Sequence, residues 1–308
     1  MSEQMAAGIK CALCPRQCHA DRNNVRGYCA ETAQVRVARA SLHRWEEPCI
    51  SGSAGSGTVF FAGCPLRCVY CQNRTIALGN KGTALTQKQL TALFLLLQDK
   101  GAHNINLVTP THFTPQIVAA LTSAKSQGLS IPVVYNTSGY ETVHTLRILE
   151  GVVDIYLPDF KYYSAALSQK YSGAPDYFAY ASRAIAEMVR QTGVPVFDGE
   201  LMRTGVIVRH MVLPGHVKDS KAVLKYLYDM HKEDLYISIM NQYTPPKDME
   251  GYPELGRRLT RREYERVVDY AIELGLQNAF IQEGDTAKES FIPDFDDEQF
   301  LKEVRDHV

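Results

Sequence analysis

From Thr58 onward the chain alternates short apolar runs with amphipathic stretches, and no other feature narrows its fold as far. The runs are Thr58–Ala62, Ile105–Thr109, Pro132–Asn136, Asp154–Pro158, Val206–Leu213 and Leu235–Met240, with a late seventh at Ala279–Gln282. They are rich in Val, Ile, Phe and Tyr and end near Gly, Pro, Asn or Asp, as strands do. Between them lie helix candidates. Thr86 precedes Gln87–Lys100, where Leu90, Leu93, Phe94 and Leu97 recur at helical spacing. Thr114 and Pro115 open Gln116–Gln127, and Asp176 is a candidate N-cap for Tyr177–Gln191. Val217–His231 and Thr260–Leu274 follow. A strand-helix unit repeated about six times implies a parallel sheet with helical crossovers. The expected fold is therefore α/β, a partial (β/α)6 barrel of the TIM type. In such folds the chemistry gathers at the C-terminal ends of the strands.

The first 50 or so residues do not share this pattern. All eight cysteines lie there or just beyond: Cys11, Cys14, Cys18, Cys29, Cys49, Cys64, Cys68 and Cys71. A chain of 308 residues buries enough surface to be stable without disulfides. Crowding of thiols instead suits ligands that must converge on a metal. Ser51–Gly57 (SGSAGSG) reads as a flexible joint, so the expected division is a cysteine-rich metal-binding module at 1–54 and the barrel with a C-terminal helical extension at 55–308.

Met1–Lys10 has no apolar core of signal-peptide length, and the longest apolar stretch, Ala92–Leu97, is far too short to span a bilayer. The expectation is a cytoplasmic protein without a membrane partner, where clustered cysteines hold metal before they form disulfides. With 33 basic and 34 acidic side chains the formal charge is −1, which argues against a broad nucleic-acid-binding face.

The first strand runs into Gly63-Cys64-Pro65-Leu66-Arg67-Cys68-Val69-Tyr70-Cys71-Gln72-Asn73. Three thiolates spaced C-x3-C-x2-C on one loop can each bind one iron of a cubane cluster and leave the fourth iron open, the mark of a catalytic site. A zinc knuckle is the plainer alternative. This loop, after the first strand of a βα barrel, resembles that of the radical S-adenosylmethionine (SAM) superfamily. The wider stretch from Gly57 to Asn73, with Glu46-Glu47-Pro48-Cys49-Ile50-Ser51-Gly52, resembles the uncharacterised activase-like branch related to pyruvate formate-lyase activating enzyme. The resemblance extends over roughly residues 10 to 285.

The resemblance implies a 4Fe-4S cluster on Cys64, Cys68 and Cys71, with SAM chelating its open iron. One electron then cleaves SAM to methionine and a 5′-deoxyadenosyl radical, which takes a hydrogen from the substrate. Tyr70 matches the aromatic position near the adenine. At the second strand end, where many relatives carry Gly-Gly-Glu for the cofactor ammonium, this chain has Val108-Thr109-Pro110-Thr111-His112, so Thr109, Thr111 and His112 are the candidates there. At the third, Asn136-Thr137-Ser138-Gly139 resembles the Asp-Thr-Asn-Gly turn of the activating enzymes. Asn136 and Ser138 offer hydrogen bonds for ribose or carboxylate.

At the fourth, Asp159-Phe160-Lys161 matches the Asp-x-Lys signature of glycyl-radical-enzyme activases. Residues i and i+2 of a strand share a face, so Asp159 and Lys161 are expected in the cavity together, with catalytic or cofactor-holding roles. In the fifth run, Arg209 sits among apolar residues and needs an anionic partner. The cofactor carboxylate and a neighbouring acid both qualify, while His210 points the other way. Asn241, Gln242 and Tyr243 end the sixth run.

The remaining set, Cys11-x2-Cys14-x3-Cys18-x10-Cys29, can hold structural zinc or an auxiliary iron–sulfur cluster, and spacing does not choose. Cys49 is left over as a free buried thiol. Three functional readings follow. The first is a radical SAM oxidoreductase that activates a glycyl radical enzyme, or acts on another protein substrate, with a flavodoxin- or ferredoxin-type electron donor. The second keeps the radical chemistry but modifies a small molecule, peptide or nucleic acid. The third is a non-enzymatic electron-transfer or zinc-binding protein, which leaves Asp159, Lys161 and Arg209 unexplained.

Overall fold

The computed structural model describes residues 10–282, residue 295 and residues 299–307. Residues 1–9, at the head of the cysteine-rich segment, and 283–285, at the end of the stretch carrying the resemblance, lie outside the described residues. Among the described residues ten strands form one sheet. They are β1 (Arg36–His43), β2 (Ser56–Phe61), β3 (Thr83–Ala84), β4 (Ile105–Val108), β5 (Val133–Thr137), β6 (Ile155–Pro158), β7 (Val196–Asp198), β8 (Leu201–Met211), β9 (Tyr236–Met240) and β10 (Ala279–Ile281). The helices are α1 (Pro48–Ser51), α2 (Arg74–Ala77), α3 (Gln87–Asp99), α4 (Thr114–Ser126), α5 (Val143–Ile148), α6 (Ala165–Ser172), α7 (Tyr177–Thr192), α8 (Val217–His231), α9 (Arg261–Glu273) and α10 (Gln299–His307).

The sheet order is β10-β9-β8-β6-β5-β4-β2-β1-β3, with β7 paired on β8. From β2 to β10 the main path is parallel. Its two edge strands, β10 and β3, are not paired with each other, so the barrel stays open. All seven expected strands are present. Those at the middle of the sheet are wholly buried, because helices cover their outer face. Leu90, Leu93, Phe94 and Leu97 of α3 form its buried stripe, and Thr86 closes a capping box with Gln89. Among the described residues no helix is long and apolar enough to cross a membrane.

Three local expectations are corrected. Pro115 stands in the first turn of α4 as expected, where the missing N–H is harmless, but the helix already begins at Thr114 and its N-cap is Phe113, without a side-chain bond. Asp176 does not cap α7 through its side chain; it accepts the Tyr140 hydroxyl at 2.7 Å instead. Ser51–Gly57 is not a free joint. Ser51 ends α1, and Ser56 and Gly57 are buried at the start of β2.

Strand β1, in the cysteine-rich segment, pairs antiparallel with β2 along most of its length, so that segment and the barrel share one sheet. After β1 the chain passes beneath the barrel. There Cys49 and Ile50 of α1 pack against Val134, Ile155, Leu157, Met202 and Ile207, the inward side chains of β5, β6 and β8. This plugs the N-terminal end of the barrel and leaves Glu46 facing up into it. At the other terminus α10 lies against α3 and β1.

Candidate functional site

Strand register decides which side chains meet above the plug. Phe60, Val108, Asn136 and Leu157 are paired across β2, β4, β5 and β6. Asp159 bridges to Arg209, and Arg209 pairs with Ser238. Because side chains alternate along a strand, Asn136 and Arg209 share the inner face with Val134 and Ile207 below them. Together with the loop after β2 they line one open cleft.

One wall is the cysteine loop. Cys64, Cys68 and Cys71 all line the cleft, the first two buried and the third half-buried. Burial pushes the Cys64 thiol up to about 11. It pushes Cys71 to about 12, with the neighbouring Cys64 and Cys68 adding to the rise. The loop prepares its sulfurs for negative charge: the Leu66 N–H donates to Cys64 Sγ at 3.4 Å and the Ser172 hydroxyl to Cys68 Sγ at 3.1 Å. Arg67, inside the loop, and Thr109, on the facing strand end, are held in the left-handed region without being glycine (φ 56° and 57°), a local strain that clusters at functional sites.

Among the described residues no three His, Cys, Asp or Glu side chains converge tightly enough to grip a single metal ion. A cubane cluster does not ask for that, because each thiolate ties a different iron and the sulfurs stand apart. Three soft donors on one loop, two of them already receiving hydrogen bonds, fit such a cluster with one iron left open.

The opposite wall is a charged network. Arg209 donates from Nε to Asp159 Oδ1 at 3.1 Å, from one terminal nitrogen to Glu46 Oε2 at 3.0 Å, and from the other to Asn136 Oδ1 at 2.6 Å. Lys161 Nζ is 2.6 Å from Asp159 Oδ2. Glu46 Oε1 accepts from Asn106 at 3.0 Å and Asn136 at 3.4 Å. Burial alone would neutralise Asp159, but Lys161 and Arg209 outweigh it and hold its carboxyl below the usual range. Burial likewise works against the Lys161 charge, and Asp159, with Cys68 beside it, reverses the sign and raises it. Glu46 moves the other way: burial lifts its carboxyl, and Arg209 only partly offsets this.

The structure thus brings together Cys64, Cys68, Cys71, Tyr70, Thr109, Asn136, Ser138, Asp159, Lys161 and Arg209 around one cleft. Tyr70 is buried beneath the loop, edge-on to Tyr162, Tyr171 and Tyr243. Gln242 lines the far side and accepts the Gln72 amide on its carbonyl at 2.9 Å.

Thr111 and His112 do not line the cleft. Thr111 donates to Glu141 at 2.5 Å, and His112 Nε2 meets the Ala62 carbonyl at 2.7 Å, since the chain turns into a 3-10 segment at once after β4. Burial holds His112 down at about 3, a neutral ring fixed in the frame. His210 is buried on Phe160, also away from the cleft. Arg209 already has all three nitrogens engaged by protein groups, the neighbouring-acid reading of its burial.

Sequence reasoning passed over Glu46, although the phrase containing it was conspicuous. Its signal was two adjacent acids before a helical Pro, with no solvent-facing pattern around them. It also passed over Arg16, whose guanidinium reaches the carbonyls of Pro65 (2.9 Å), Leu66 (3.3 Å), Ser172 (2.7 Å) and Gly173.

The four N-terminal thiols are neighbours on one turn-rich segment. Cys18 and Cys29 place their sulfurs against Gly27, and Cys11 contacts Cys18. Burial raises Cys14 to about 12. They do not form a closed set around one point in the described residues.

A family model described as the radical SAM superfamily matches residues 58–227. The uncharacterized protein MJ0674 of Methanocaldococcus jannaschii is 28% identical over 273 residues, 86% of this chain and 75% of that protein. Among solved structures, Streptococcus suis SuiB bound to precursor peptide SuiA aligns over 78% of this chain with a TM-score of 0.49 and 15% identity. This chain spans about half of SuiB, 52% of its length. A domain of pyruvate-formate lyase-activating enzyme from Bacteroides vulgatus aligns over 55% of this chain and 91% of that domain, with a TM-score of 0.39 and 13% identity.

Proposed function

Since the chain belongs to the radical SAM superfamily, we propose that it is an oxidoreductase whose cluster sits on Cys64, Cys68 and Cys71 and whose SAM lies between that loop and the Asp159–Lys161–Arg209 network. The observation that carries this reading is the facing of three thiols and two paired cations across one cleft at the C-terminal end of a parallel barrel. When bound, cluster and SAM together supply one-electron cleavage of the sulfonium and abstraction of a substrate hydrogen. The chain supplies placement. Lys161 presents a cation next to Cys68, where an anionic group on the open iron would be drawn. Asp159, kept ionised by Lys161 and Arg209, gives the same wall an acceptor for cationic groups. Tyr70 walls the loop from beneath and keeps water out.

Within that reading we infer that the hydrogen is taken from a protein glycine, so that the chain activates a glycyl radical enzyme, with a flavodoxin- or ferredoxin-type donor. The support is the Asp159-Phe160-Lys161 phrase and the activase-like stretch Gly57–Asn73. The N-terminal thiols would hold zinc or an auxiliary cluster, and their crowding on one short segment supports that reading.

The decisive experiment is anaerobic reconstitution with iron and sulfide, reduction, and addition of SAM. Formation of 5′-deoxyadenosine that disappears in Cys68→Ala is the expected result; none from the wild-type chain would overturn the radical reading. An organic radical on a co-purified partner enzyme tests the activase step. Iron, sulfide and zinc counts on Cys14→Ala test the second site.

A further inference from the structure

The loop after β6 ends in a helix whose last residue touches a thiol that it has no local reason to touch. Ser172 closes α6, and Gly173 caps that helix in the left-handed region. A serine in a helix normally returns its hydroxyl to a carbonyl one turn back, as Ser168 does to Ala165. Ser172 instead reaches 104 residues back to Cys68 Sγ at 3.1 Å. It is only 4% exposed, so its hydroxyl has to be satisfied inside the protein. Its oxygen also lies 2.8 Å from the Tyr162 hydroxyl, which is bonded to that of Tyr70 at 2.7 Å.

The contact is braced from both sides. The Val69 N–H donates to the Tyr171 carbonyl at 2.9 Å, and Arg16 ties the Ser172 and Gly173 carbonyls to those of Pro65 and Leu66. The helix end and the cysteine loop are therefore one rigid unit, and the hydroxyl cannot drift from the sulfur.

We propose that Ser172 is a positioning residue that sets the reduction potential of the cluster through Cys68. The inference rests on the cluster reading of Cys64, Cys68 and Cys71. The Ser172 proton has two takers, a tyrosine oxygen and a sulfur. A ligating thiolate carries negative charge and is the stronger acceptor. Taking up one electron from a low-potential donor adds one negative charge to the cluster and moves more charge onto its sulfurs. A hydrogen bond to sulfur stabilises that reduced state more than the oxidised one, so it raises the potential. Tyr70 and Tyr162 bury the bond, which keeps water from substituting for it.

The test is a potentiometric titration of the reconstituted full-length chain under anaerobic conditions, read by electron paramagnetic resonance of the reduced cluster. Ser172→Ala should lower the midpoint enough to cut the reduced-to-oxidised ratio about tenfold at a fixed donor potential, which is about 59 mV for a one-electron couple. Ser172→Thr, which keeps the hydroxyl, should stay at the wild-type midpoint. If the alanine variant assembles too little cluster to titrate, Ser172→Cys, a far weaker donor, must move the same way. An unmoved midpoint at full iron content in Ser172→Ala or its cysteine substitute overturns the proposal but leaves the cluster intact. A wild-type chain that forms no reducible cluster overturns both this inference and the reading beneath it.

Discussion

The backbone N–H of Cys64 donates to the backbone carbonyl of Cys29 at 3.1 Å, so a cysteine of the N-terminal set fixes the first cysteine of the loop. The residue before it makes the approach possible. Gly63 has φ 82°, and a side-chain carbon there would stand 2.5 Å from the Cys29 carbonyl oxygen and 2.6 Å from Glu31. Gly63→Ala is expected to lower stability by about 2–5 kcal/mol, combining left-handed strain with a backbone clash. Chemical denaturation of the metal-free chain measures it. A variant within 1 kcal/mol of wild type would show that the contact is looser than described.

Arg16 makes the second link between the two cysteine regions. A guanidinium is a rigid fork, and here it serves carbonyls on two chain segments at once. Arg16→Ala should cost about 2–3 kcal/mol and shorten the time for which the chain retains iron after reconstitution. Arg16→Lys should recover little of either, because an ammonium cannot span the same acceptors. Full recovery with lysine would mean that the charge alone matters.

Much of this was legible before any coordinates. Strands showed because their β-branched and aromatic runs had to be buried on both faces, and the thiol spacing showed because cluster ligands must share a loop. Strand β1 did not show, since Arg36, Arg39 and Ser41 interrupt its apolar pattern. Short strands β3 and β7 carry too few residues for any period. Glu46, Arg16 and Ser172 were passed over for a different reason. Each acts on residues distant in sequence, and only the plug beneath the barrel, the clamp on the loop and the end of α6 bring them there. Thr111 and His112 looked like site residues because they follow a strand, yet an immediate 3-10 turn carries them into the frame.

Arg209 is the common partner of Asp159, Glu46 and Asn136, and all three side chains in the ion pairs are mostly buried. Removing the cation strands Glu46, whose other partners are neutral amides, and leaves Asp159 to Lys161 alone. Arg209→Met should destabilise by about 3–5 kcal/mol at neutral pH. The double variant Arg209→Met with Glu46→Gln should regain part of that loss, since one stranded charge is gone. Thermal and denaturant melts of four chains, with Glu46→Gln alone as the fourth, give the comparison, and losses that simply add would show that Glu46 and Arg209 do not act on each other.

Glu141 gives a pH dependence whose sign is fixed by its surroundings. It is buried and accepts the hydroxyls of Thr111 and Thr137 at 2.5 Å, and its other oxygen, Oε2, has no protein partner. Burial pushes the carboxyl from its ordinary 4.5 up to about 7, and the hydrogen bonds only moderate the rise. A carboxyl raised in the folded state holds its proton after the unfolded chain has released it. Between pH 4.5 and 7 the folded state therefore binds more protons, and stability falls as pH rises. The contribution is complete below about pH 4.5 and gone above about pH 7. At roughly 1.4 kcal/mol for each pH unit of difference, the loss is on the order of 3 kcal/mol. Glu141→Gln, neutral throughout, should lack this slope. Melting temperatures of the two chains plotted against pH should diverge in favour of the glutamine variant as pH rises from 5 to 7 and run parallel above it. A constant gap across that window would mean that Glu141 is already ionised when folded.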